Sequence, residues 1–109
     1  MKHNNLSNTM KKNKINVDLL LKNERSTIDR LDSIIVNALI ERFEVTNRIG
    51  FIKAENNLGA YDSVRENEQK QRLNQLVKDS DLDVKFVEQV MKLIISETKK
   101  RHEKLKEKK

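Results

Sequence analysis

The chain has 109 residues, with 23 lysines and arginines against 17 aspartates and glutamates, giving a formal net charge of +6. It contains no cysteine, which excludes a disulfide framework and any thiolate metal site and agrees with a reducing compartment. The absence of proline, the two glycines and apolar residues recurring in steps of three and four make the chain all-α and exclude a turn-rich β protein.

Residues 1–21 are rich in Lys and Asn without a sustained period, and read as a flexible basic extension. Their longest apolar run, "LLL", is too short for a signal-peptide core or a membrane span, so a cytoplasmic location and no membrane partner are expected. A helical pattern then runs from about Lys22 to Glu55 through Ile28, Leu31, Ile35, Ala38, Val45, Ile49 and Ile52. Gly50 interrupts it at a cost of about 1 kcal/mol relative to alanine. The stretch "ENNLGAYDS" ends this helix, and Ser63 with Glu66 has capping-box spacing, so a second helix is predicted from near Val64 to about Lys78. "DSDLD" is the next break. Asp83 caps a predicted third helix from about Val84 to at least His102, with Val87, Val90, Met91, Ile94, Ile95 and Thr98 along one side. Residues 103–109 form a basic tail. A solvated, frayed end explains such a tail better than nucleic-acid binding does, and one Tyr, three Phe and no Trp offer little for bases to stack on.

The first helix, at roughly 50 Å, is longer than the roughly 35 Å diameter of a compact domain of this size. Its apolar stripe needs cover that two shorter helices do not supply. An intertwined homodimer of three-helix chains is therefore expected, with an ordinary coiled coil as the alternative.

The stripe has one polar member, Arg42, where an apolar residue is due. Lys53 follows eleven residues later, which returns it to within roughly 20° of Arg42 on the helix. Val45, Thr46 and Ile49 lie between them, so two cations flank a mainly apolar patch. Arg25 is displaced by about 100° around the helix and about 25 Å along it from Arg42, and in an antiparallel dimer it can enter only the other chain's pocket. Desolvated cations require counter-charges. Glu41, Glu44, Asp62 and Glu66 are internal candidates, and an anionic ligand is the other solution. Asp62, Arg65 and Glu66 open the second helix, where free backbone N–H groups favour anions. On the third helix Thr98 and His102 lie four apart and extend the apolar side with polar groups. No metal site follows from a lone histidine.

In chain order, "R-x-x-I-D-x-x-D" (Arg25, Ile28, Asp29, Asp32), "ER" with Arg42, "IGFIKAE" with Lys53, "YDSVRE" with Asp62, Arg65 and Glu66, and "LIISET" resemble the all-helical chorismate mutases over about residues 22–102. The resemblance implies an isomerase that converts the dicarboxylate chorismate to prephenate in aromatic amino-acid biosynthesis, without a cofactor. It implies that Arg42 and the partner chain's Arg25 bind the two carboxylates, and that Lys53 donates to a carboxylate and to the ether oxygen of the breaking bond. By the same resemblance Glu66 and the region of Asp62 hold the ring hydroxyl, Arg65 completes the cationic wall, and Ile49 and Ile95 sandwich the ring. His102 stands where the family usually has glutamine or a glutamate that must be protonated, opposite Lys53. A histidine ring can donate from N–H in either charge state. Thr98 replaces a commoner serine. Isochorismate pyruvate lyase and a catalytically weak regulatory dimer of the same fold are the alternatives, and an associated synthase is a conceivable partner.

Overall fold

The computed structural model describes residues 14–59 and 62–107, and these form three α-helices without a strand. They are α1 (Lys14–Glu55), α2 (Ser63–Val77) and α3 (Val84–Glu107). α1 begins eight residues before the predicted Lys22, so residues 14–21 of the expected extension are helical, and residues 1–13 lie outside the described ones. The physical reason is propagation: "KINVDLLL" contains no breaker, and adding a residue to an existing helix costs far less than starting one. α3 likewise continues past His102 to Glu107, because "EKLKE" consists of strong helix formers.

The two connections are built by side-chain and backbone caps rather than by glycine. α1 ends in a Schellman motif. Asn57 takes the left-handed conformation (φ 55°), the N–H of Leu58 donates to the Lys53 carbonyl at 2.8 Å, and that of Asn57 to Ala54 at 3.4 Å. At the start of α2 the cap is Asp62 and not the predicted Ser63. The Asp62 backbone is extended, and its Oδ1 accepts the Arg65 N–H at 3.1 Å. The carboxylate placed one residue earlier reaches the orphan donor of the third helical position, which leaves Ser63 as the first helical residue. Asp83 caps α3 as its sequence suggests, accepting the Lys85 N–H at 3.0 Å.

The chain divides after Glu41 into two units. In the first, α1 exposes Leu19, Ile28, Leu31, Ile34, Ile35 and Val36. In the second, the C-terminal part of α1 from Arg42 packs with α2 and α3. Here the α1–α3 joint is a close approach at Gly50. A Cβ built on this buried residue would stand 2.7 Å from His102 Cδ2 and 3.1 Å from Leu105 Cδ1. Glycine is therefore present for space, not for a special dihedral. Four residues earlier Thr46 offers its carbonyl to His102 Nε2 at 2.7 Å, and Arg101 covers the Phe43 ring at 4.4 Å. Among the described residues no hydrophobic side chain is buried.

Gly50→Ala is expected to lower the thermal midpoint although alanine is the better helix former. Overpacking against a ring held by a hydrogen bond costs about 1–3 kcal/mol, more than the gain of about 1 kcal/mol in propensity. Thermal denaturation followed by circular dichroism tests this, and adding His102→Ala to the alanine variant should recover part of the loss.

Candidate functional site

Within the second unit the three helices surround a cavity of about 280 Å³. α1 contributes Arg42, Val45, Thr46, Ile49 and Lys53, spaced so that all lie on one face. The N-terminal turns of α2, with its cap, contribute Asp62, Arg65, Glu66 and Gln69, and α3 contributes Ile95, Thr98, Lys99 and His102. The walls thus carry four permanent cations against two carboxylates. Such an excess suits a small dianion, and Ile49 and Ile95 add apolar surface for its carbon frame.

Arg42 is the most constrained of the cations. Its Nη1 is buried and has no hydrogen-bond partner among the described residues. Burial, and then the like charge of Arg65, hold the guanidinium below its ordinary value. An anion placed beside both arginines would relieve each effect. Among the described residues the Arg65 side chain pairs with Glu68 alone, in an exposed contact at 3.5 Å of the kind worth at most about 1 kcal/mol. Its guanidinium can turn to a ligand at little cost.

The other polar groups are partly committed. Asp62 Oδ1 is engaged in capping α2, and Glu66 Oε1 lies 3.6 Å from Lys99 Nζ. Thr98 donates its hydroxyl to the Ile94 carbonyl at 3.1 Å, so toward the cavity its oxygen is an acceptor. His102 is buried, and the Thr46 carbonyl can only accept, so Nε2 carries a proton. This narrows the expectation that the ring can donate to a ligand in either charge state. With Nε2–H given to Thr46, a second donor exists at Nδ1 only in the imidazolium form.

Of the residues singled out in the sequence, Arg42, Ile49, Lys53, Asp62, Arg65, Glu66, Ile95, Thr98 and His102 line this one cavity. Arg25 does not. It is an exposed residue of the first unit. Sequence reasoning missed Gln69 and Lys99. Gln69 lies one turn after Arg65, and Lys99 one turn after Ile95, so helical spacing from residues already chosen would have found both.

A family model described as chorismate mutase type II matches residues 24–103. No curated protein matches the chain.

Arg42→Met is expected to raise stability by about 1 kcal/mol, since it removes a buried, unpaired donor while keeping much of the side chain's apolar length. Urea denaturation without ligand measures this. Stability reduced by the substitution would show that Arg42 has an internal counter-charge.

Proposed function

The chain belongs to the chorismate mutase type II family, a family of isomerases, and on that premise we propose that its cavity converts chorismate to prephenate. The observation that carries this reading is Arg42, a half-buried cation whose Nη1 is buried without a hydrogen-bond partner among the described residues, facing a second arginine across a cavity with apolar sides. The reaction is an intramolecular Claisen rearrangement: the ether C–O bond breaks, a C–C bond forms, and no proton or electron leaves the substrate. The protein's task is to select the compact conformer and to stabilise negative charge developing on the ether oxygen.

Arg42 binds one carboxylate with its forked donors, and Arg65 lies beside the ring carboxylate. Lys53 donates to a carboxylate and to the ether oxygen. Glu66 accepts from the ring hydroxyl, with Asp62 beside it offering the carboxylate oxygen that the capping bond leaves over. Ile49 and Ile95 bracket the ring, and Thr98 accepts at its edge. His102 donates from Nδ1 to the ether oxygen opposite Lys53 when the ring is cationic. Its Nε2 bond to Thr46 fixes the orientation of the ring for this role.

A homodimer completes the site. No described hydrophobic residue is buried within one chain, and Ile28, Leu31 and Ile35 expose a continuous apolar stripe on α1. Burying it against a second copy supplies folding free energy at roughly 25 cal/mol per Å². In this arrangement Arg25 serves the other chain's cavity, and the enzyme works in the cytoplasm.

The decisive measurement is the loss of chorismate absorbance on mixing with purified protein, with prephenate as product. Salicylate and pyruvate formed from isochorismate would instead mark a lyase. Arg25→Ala and Arg42→Ala proteins should each lose nearly all turnover. Co-folded, they should regain part of it, since one site of the heterodimer keeps both arginines. Absence of rescue means that Arg25 acts within its own chain or not at all.

His102→Leu should lose on the order of 3 kcal/mol of transition-state stabilisation, as other oxyanion donors do, whereas His102→Gln keeps a donor. Wild-type rates in His102→Leu would leave Lys53 as the only donor to the ether oxygen.

A further inference from the structure

Glu66 stands at a wall shared by two cavities. The second, of about 290 Å³, lies between α2 and α3 and has Glu66, Gln69, Ile95 and Lys99 in common with the first. It also presents Lys70 and Lys92. Lys70 follows Glu66 by four residues on α2, the spacing at which a glutamate and a later lysine pair most readily along a helix. Two directions thus compete for the Glu66 carboxylate: toward Lys70 and the second cavity, or toward the ligand site.

The observed partner is neither Lys70 nor Lys92 but Lys99 of α3, at 3.6 Å from Glu66 Oε1. This pair joins two helices, whereas the Arg65–Glu68 and Arg101–Glu97 pairs each lie within one helix. Lys99 lines both cavities, so its ammonium holds the carboxylate at the wall they share, at the edge of the ligand site and away from Lys70. It also offsets a negative charge that would repel a dianionic substrate.

We infer that Lys99 is a positioning residue for Glu66, holding its carboxylate where it accepts the ring hydroxyl of the substrate. The inference rests on the proposed chorismate reading of the cavity. The ring hydroxyl is bound alike in the ground state and the transition state, so loss of the positioning weakens binding without slowing the chemical step.

Lys99→Met should therefore raise KM for chorismate about fivefold, the scale of a partly exposed ion pair, with kcat within about twofold of wild type. Lys99→Arg should restore KM, because a cation of similar reach returns. Introduced into Glu66→Gln, Lys99→Met should add no further change in KM, since no carboxylate remains to be held. An unchanged KM in Lys99→Met overturns the inference. So does a KM effect that persists in the Glu66→Gln background, which would place Lys99 directly on a substrate carboxylate. Absence of chorismate turnover in the wild-type protein removes the functional reading and this inference together. Turnover with an unaltered KM in Lys99→Met removes the inference alone.

Discussion

A guanidinium nitrogen that gives up water must regain its stabilisation from a hydrogen-bonding partner, and Nη1 of the half-buried Arg42 does so from no described residue. Its neighbour across the cavity is another arginine, which adds repulsion to the desolvation. Evolution would remove such a residue if stability alone were at stake, because an apolar side chain suits the stripe of α1 better. Its presence is a cost to the chain's own stability that a bound anion would offset. The same feature is an advantage for catalysis. Donors already fixed in a partly dry site need no reorganisation when charge develops in the transition state.

The supporting structure distributes polar groups between folding and chemistry. Asp62 caps α2, and this bond sets where Arg65 and Glu66 begin their helix. His102 gives Nε2–H to Thr46 and rests against Gly50, so the α1–α3 joint and the orientation of the ring are one arrangement. Thr98 donates to its own helix and keeps only acceptor capacity for the cavity. The cavity then presents cations from α1 and α2, a carboxylate paired with Lys99, and two isoleucines. This set suits the proposed rearrangement, which needs a shaped, charged enclosure and no nucleophile.

Folding free energy has a different source. With every described hydrophobic residue at least partly exposed, the single chain offers little apolar burial to offset the entropy of ordering. Helix propensity and caps bias the local structure, but stable helices of this kind derive most of their stability from packing an apolar face. The exposed residues along α1 are thus part of the same physical problem as Arg42. Each is a group to which the described residues offer no partner.

The amino-acid sequence by itself determined the helical class, the two breaks between helices and the helical face that carries Arg42 and Lys53. Each depends on local spacing, breaker residues and 100° per residue, which need no tertiary information. It also placed Asp62, Arg65 and Glu66 beside one another, because a helix start is a local event. Helix ends were less visible. The capping role passed from Ser63 to Asp62 by one residue, and "KINVDLLL" carried no signal that its helix would start at Lys14. Only the tertiary structure decided which groups are already engaged. That Gly50 clears space for His102, that Nε2 of His102 is spent on Thr46, and that Lys99 reaches Glu66 are contacts between helices. Residues as far apart as Thr46 and His102 meet only when the elements pack, and no local rule of spacing encodes that meeting.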